Sequence, residues 1–278
     1  MAAQAKEHVV EIGPRRGWAS LGLAEVWEFR ELLYFLIWRE VKGRYRQMAL
    51  GPLWIILKPF VTMVVMSVVF GRVAKLPSEG LPYPLFNYSG LLPWTLFAVA
   101  TGKSATSLVT NLNVISKVYF PRLVVPTAAV CSGLVDFCMS FLILLAMVFY
   151  YGQVPSANIV FLPGFVLLAL ATALALGLCL ATLAVKFRDV GYGVEHALQV
   201  LIYLTPVVYP SSLLSEPWRT LYLLNPMAVV IEGFRWSLLG VGQPPTPSML
   251  VVCLGVLAML FLGAHLFRRT ERTVVDLM

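Results

Sequence analysis

Charge is what this sequence has least of. Only 13% of its 278 residues are Asp, Glu, Lys or Arg, against 59% hydrophobic ones, a balance that excludes a chain folded for water or left disordered in it. Cysteine is scarce too, at 4 residues. Cys131, Cys138, Cys179 and Cys253 all fall inside apolar stretches, with no metal-type spacing and no loop position from which to form a disulfide. They read as small core residues, so neither a disulfide scaffold nor a metal site is expected. Acidic residues number 14 against 21 basic ones. In a soluble chain that excess would raise nucleic acid as a partner; here no nucleic acid is expected, and the placement of the charge decides its meaning.

What is present is a series of long apolar runs. A helix needs about twenty such residues to cross the hydrocarbon core, and the clearest candidates cover residues 124–150, 159–185 and 249–267. Residues 53–70 form a fourth, interrupted by Lys58 and Pro59, and residues 85–101 a fifth, carrying Asn87, Gly90 and Pro93. The weakest covers residues 190–209, with Glu195 and His196 in its first half. It is expected to enter from a polar face or to line a cavity. The expected fold is an all-α integral membrane protein of about six spans. Its parts are a cytoplasmic segment over residues 1–52, a transmembrane domain over 53–267 and a cytoplasmic tail over 268–278.

Basic residues cluster before the first run (Lys6, Arg15, Arg16, Arg30, Arg39, Lys42, Arg44, Arg46), after the second (Lys103, Lys117, Arg122), after the fourth (Lys186, Arg188) and at the carboxyl end (Arg268, Arg269, Arg272). The positive-inside bias then places both termini in the cytoplasm, which requires an even number of crossings. Residues 32–38 are apolar but too short to span and embedded in charge. On a helical wheel Val26, Phe29, Leu33, Leu36 and Ile37 share one arc, opposite Glu25, Glu28, Glu31, Arg39, Lys42 and Arg46; Glu40 and Arg44 are exceptions on the apolar side. An in-plane amphipathic helix at the cytoplasmic interface is the natural reading, with a helix packed on the membrane domain as the alternative.

Between the last two spans, residues 218–224 and 227–239 are short apolar stretches separated by Asn225-Pro226. Glu232 and Arg235 are too costly to face lipid, so a broken, re-entrant pair of helices is expected rather than a further crossing.

Gly102-Lys103-Ser104 looks like the end of a phosphate-binding loop, but Phe97 stands where the first glycine belongs and no strand precedes it. ATP is therefore expected on another chain. Asp136, in the middle of a span, reads either as a proton or ion site or as a hydrogen-bonded acid facing neighbouring helices near Ser132 and Ser140. Glu195 with His196 reads either as a coupling pair or as the polar mouth of a span close to the cytoplasm. His265 has no second ligand within helical reach and reads as interfacial.

Several segments carry a family resemblance. They are Trp38-Arg39-Glu40-Val41-Lys42-Gly43-Arg44-Tyr45; Leu50-Gly51-Pro52-Leu53-Trp54 with Lys58-Pro59; Gly90-Leu91-Leu92-Pro93-Trp94; Lys117-Val118-Tyr119-Phe120-Pro121-Arg122; Thr205-Pro206-Val207-Val208-Tyr209-Pro210; and Asn225-Pro226 with Ile231-Glu232-Gly233-Phe234-Arg235. In this order they resemble the membrane subunits of ATP-binding-cassette polysaccharide exporters, most of all the O-antigen (lipopolysaccharide) permeases, with teichoic-acid and capsule permeases close behind. The resemblance implies a homodimer in the bacterial inner membrane, bound to a separate ATPase that holds ATP and magnesium, moving an undecaprenyl-diphosphate-linked polysaccharide. No cofactor is expected on this chain, and no catalysis. The resemblance further implies an ATPase interface at Arg39, Lys42, Asn113, Lys117, Tyr119, Phe120 and Arg122, and a channel lined by aromatics such as Trp54, Phe60, Tyr203 and Tyr209. It implies a periplasmic gate around Trp218, Asn225, Pro226, Glu232 and Arg235. Arg44 and Arg46 are candidates for attracting the lipid diphosphate, or ordinary positive-inside anchors. A proton-coupled flippase using Asp136 and Glu195 is the competing function.

Overall fold

The computed structural model describes residues 23–45, 51, 53–187, 189–216, 218–242, 244 and 246–271. Lys6, Arg15, Arg16, Arg46, Pro52, Arg188 and Arg272 lie outside the described residues. Among the described residues the structure is helical throughout, without strands. Two amino-terminal helices, α1 (Leu23–Glu28) and α2 (Arg30–Tyr45), precede α3 (Leu53–Met66), which continues as a π-helix over Ser67–Val73. Next come α4 (Tyr83–Thr110), the short α5 (Leu112–Ile115), α6 (Val124–Tyr150), α7 (Leu162–Lys186) and α8 (Val190–Leu201). Two broken pieces, α9 (Trp218–Tyr222) and α10 (Pro226–Leu239), lead to α11 (Ser248–Glu271). Leu53–Val73, Val124–Tyr150, Ala157–Lys186 and Ser248–Thr270 are long and apolar enough to cross a membrane. The protein is an all-α, multi-pass membrane protein.

The largest departure from expectation is α4. The sequence suggests a span over residues 85–101, yet the helix runs to Thr110, carrying Pro93 and the Gly102-Lys103-Ser104 tripeptide in its interior. It tolerates Asn87, Ser89, Thr101 and Ser104 because all are buried against other helices and none faces lipid. Within the helix Ser and Thr side chains return hydrogen bonds to the backbone: Ser89 donates to Phe86 O at 2.8 Å, and Thr95, just past Pro93, to Leu91 O at 2.8 Å.

The neighbours of α4 approach closely through small residues, the usual device where lipid offers no hydrophobic drive for association. Gly177 on α7 sits against Ser104 so tightly that a Cβ there would collide with the serine side chain. Gly133 on α6 faces Leu96, and Gly263 on α11 meets the backbone of Ala175 on α7, where a Cβ would stand 2.9 Å from the carbonyl oxygen.

Two cores mark two ends of the bundle. One joins Val26 and Leu36 of the amino-terminal helices with Leu108 at the end of α4, Leu123 to Val125 at the start of α6, Leu178 and Ala181 late in α7, and Ala264 and Phe267 late in α11. The other gathers Leu85 and Phe86 at the start of α4, Leu144 and Val148 late in α6, Leu162 at the start of α7, Val207 and Val208 beyond α8, and Val230 to Phe234 of α10. Lys117, Lys186, Arg268 and Arg269 belong to the segments at the first end.

Candidate transport cavity and its flanking elements

A cavity of about 1260 Å³ opens between α3, α4, α6 and α8, closed at one corner by the tip of α2. That exceeds the usual few hundred to one thousand Å³ of a small-molecule site. Its walls are apolar and aromatic in the main, with Trp54, Trp94, Phe137 and Tyr203, and hold five charged side chains: Arg44, Lys58, Lys103, Asp136 and Glu195. Of the aromatics that the sequence nominates for a channel, Trp54 and Tyr203 line this space. Phe60 is exposed on α3 and Tyr209 lies beyond α8, its hydroxyl donating to Tyr203 O at 2.9 Å and accepting from Tyr222 at 3.2 Å.

The charged wall is a connected cluster. Arg44 pairs with Asp136 and stands 3.8 Å from Glu40; Glu40 in turn pairs with Lys103 at 3.0 Å. Ser132 sits in the middle, donating to Glu40 at 3.1 Å and accepting from Lys103 and Arg44, each at 3.3 Å. The links join three helices: Glu40 and Arg44 come from α2, Lys103 from α4, Ser132 and Asp136 from α6. Glu40 to Ser132 and Arg44 to Asp136 share one sequence offset, 92 residues, so over this turn α2 and α6 run in the same sense. Burial pushes the Glu40 carboxyl up from its ordinary value, against the lowering pull of the Ser132 hydroxyl and Arg44.

This cluster explains the two exceptions on the helical wheel. Glu40 and Arg44 interrupt the apolar arc of α2 because that arc packs on α6, where a mid-span carboxylate awaits them. Val26 and Leu36 are buried there, with Phe29, Leu33 and Ile37 partly so. The signal was available in sequence as paired oddities: opposite charges on an apolar helix face, and an acid in a span with nothing to neutralise it. Lys103 is the member that sequence reasoning missed, having been set aside with the false phosphate loop.

Residues 111–122 fold as α5 and a run of turns beside the amino-terminal helices. Arg39 donates to the Asn111 side chain, tying α2 to this segment. Lys42, Asn113, Lys117 and Tyr119 are exposed, Tyr119 at 74%, while Arg122 is half-buried. Phe120 points inward and is buried with Ile115 and Leu123; it anchors the segment from beneath.

At the opposite end Asn225 caps α10, its side chain accepting from Met227 N at 3.0 Å, with Pro226 as the first helical residue. That is the favoured chemistry for a helix start. Trp218 is exposed on α9. Glu232 and Arg235 are almost wholly buried. Arg235 donates to the carbonyls of Pro206 (2.5 Å), Val207 (2.8 Å) and Phe86 (3.1 Å) and to Ser89 Oγ (3.3 Å), with its guanidinium 3.7 Å from the centre of the Phe86 ring. Glu232 accepts from Ser211 N at 3.1 Å. The two charges thus fasten α10 to the broken chain that follows α8, satisfying carbonyls that the break leaves unpaired.

The model of the ABC-2 type transporter family matches residues 31–239. The chain belongs to that family. This ABC-2 protein is 36% identical over 214 residues to the O-antigen export system permease protein RfbA of Myxococcus xanthus, covering 76% of this chain and 81% of the relative. It is 28% identical over 208 residues to RfbA of Klebsiella pneumoniae (74% and 79% covered) and 21% identical over 244 residues to the polysialic acid transport protein KpsM of Escherichia coli (86% and 93%). As an ABC-2 permease it is a transport subunit, and the matched region contains the cavity, the ionic cluster and α10.

Proposed function

We propose that this ABC-2 permease forms the membrane path of an ATP-driven exporter for an undecaprenyl-diphosphate-linked polysaccharide of the O-antigen type. The observation that carries the reading is a cavity larger than a small-molecule site, with aromatic walls and fixed cations. Aromatic faces suit sugar rings, and Arg and Lys suit phosphate. Likeness to the O-antigen permeases, at 36% and 28% identity, favours this cargo over the polysialic acid of the 21% relative.

The path crosses the bacterial inner membrane six times in this reading, through α3, α4, α6, α7, α8 with its extension, and α11, with α9 and α10 re-entrant. The segments of the first bundle end carry most of the basic residues, which supports a cytoplasmic position for that end and for both termini. There α2 packs on the membrane domain, and Arg39, Lys42, Asn113, Lys117, Tyr119 and Arg122, seated on Phe120, receive a separate ATPase carrying ATP and magnesium. The nearly bare surface of Leu53–Val73, only 11% buried, supports pairing with a second copy. Arg44, with Arg46, draws the diphosphate toward the cavity.

Deleting the gene for this chain in its host should strip the surface of one polysaccharide and leave its lipid-linked form inside the cell. Immunoblotting of intact cells and of isolated inner membranes reads both. An unchanged surface polysaccharide, with no lipid-linked form retained, overturns the reading.

A further inference from the structure

We propose that Asp136 and Glu40 are built-in surrogates for an anionic headgroup. They occupy Arg44 and Lys103 in the resting protein, and a diphosphate entering the cavity displaces them and releases α2 from α6. The inference rests on reading the cargo as diphosphate-linked, and it assigns Asp136 a role in selecting that cargo.

Arg44 and Lys103 both line the cavity, with 21% and 27% of their side chains exposed, so the cations are reachable from the space in which cargo would sit. Both are already matched, by Asp136 and Glu40. Simple attraction of an anion to vacant cations is therefore the wrong description; the step is an exchange of partners. An exchange is feasible inside a membrane protein where addition is costly, because the cations stay paired throughout and the displaced carboxylates, 25% and 31% exposed, can be solvated. A diphosphate holds the advantage over a single carboxylate, with more negative charge and more acceptor oxygens for the guanidinium fork.

What the exchange changes follows from where the partners are anchored. Arg44 to Asp136 joins α2 to α6, and Lys103 to Glu40 joins α4 to α2. Replacing the carboxylates by a ligand therefore frees α2 from α6, while a ligand held by both cations still spans α2 and α4. Since α2 is also tied through Arg39 to Asn111, occupancy of the cavity is transmitted to residues 111–122. The purely architectural alternative holds that the pair does no more than dock α2.

The test uses the full-length protein in nanodiscs, with farnesyl diphosphate as ligand and farnesol and inorganic pyrophosphate as comparators. Binding is followed by the fluorescence of the tryptophans, among them Trp54 and Trp94 in the wall, and release of α2 by the rate of tryptic cleavage after the exposed Lys42. The protein should bind farnesyl diphosphate roughly tenfold or more tighter than farnesol, with faster cleavage when bound. Asp136→Asn should bind the diphosphate more tightly and be cleaved quickly without ligand. Arg44→Gln should lose binding, and the double variant should show none of the gain of Asp136→Asn. The charge swap Arg44→Asp with Asp136→Arg should restore protection of α2, which guards against mistaking misfolding for release. If Asp136→Asn weakens binding as Arg44→Gln does, or if ligand leaves cleavage unchanged, the pair is architectural and the inference fails while the cargo reading stands. If the wild type fails to distinguish farnesyl diphosphate from farnesol, the cargo reading itself fails. Full activity with inorganic pyrophosphate supports the exchange and names a free diphosphate as its source.

Discussion

Two arginines in this protein show opposite uses of one side chain. Arg44 faces a cavity and pairs with carboxylates; Arg235 is fully buried and spends its donors on backbone carbonyls and one hydroxyl. The seat for Arg235 depends on Gly90, where a Cβ would collide with Nη2 and stand 3.1 Å from the Val207 backbone. Gly90→Ala should therefore destabilise the protein by about 1–3 kcal/mol through overpacking against a group with nowhere to go. Arg235→Lys should cost about as much or more, since an ammonium cannot reproduce the planar fork and leaves buried carbonyls unpaired. Thermal unfolding in detergent measures both, and a melting point equal to the parent's in either variant contradicts this account of the cage. The motif Ile231-Glu232-Gly233-Phe234-Arg235 announces buried charge in the sequence. Its acceptors do not: Pro206 O and Val207 O are carbonyls at a chain break 29 and 28 residues earlier, and Phe86 O and Ser89 lie on α4, where only the fold brings them to the guanidinium.

Helices were legible in proportion to how cleanly their surroundings divide into lipid and protein. The expected 124–150 run is α6 to the residue, and the runs at 159–185 and 249–267 differ from the observed helices by a few residues at their ends. The helix α4 was underestimated because hydropathy reads polar residues as an end, whereas Thr101 and Ser104 are simply enclosed on all sides. For α2 the apolar arc was readable, and what it meets was not. Leu36, 4% exposed, belongs to the buried cluster there. Leu36→Ala should cost about 2–5 kcal/mol of local docking and speed tryptic cleavage after Lys42, with little change in melting of the α4 and α7 core. Cleavage at the parental rate would show that α2 is held by its charges alone. At the other end Asn225→Ala should weaken α10 by about 1 kcal/mol through loss of its cap, a shift visible in the same melting experiment.

At the scale of the whole molecule, the functional elements divide between the two cores. Residues 111–122 and the carboxyl end of α11 gather at one, the Arg235 cage with α9 and α10 at the other, and the ionic cluster lies along the cavity. In the proposed exporter the first end meets the ATPase. Replacing the exposed Lys117 and Tyr119 by alanine should abolish co-purification of that subunit while the permease stays monodisperse, because neither side chain belongs to the buried cluster under them. Retention of the ATPase at parental yield would move the docking surface elsewhere. The architecture also has a consequence for how the chain is made. The helix α4 stands at the centre of the bundle and carries a buried polar stripe, yet it is not among the helices apolar enough to span on their own. During synthesis it emerges after α3 and before α6 and α7, the helices that will enclose it. Its polar stripe is therefore enclosed in stages, by α6 and α7 first and, at Phe86 and Ser89, only when Arg235 of α10 has been made.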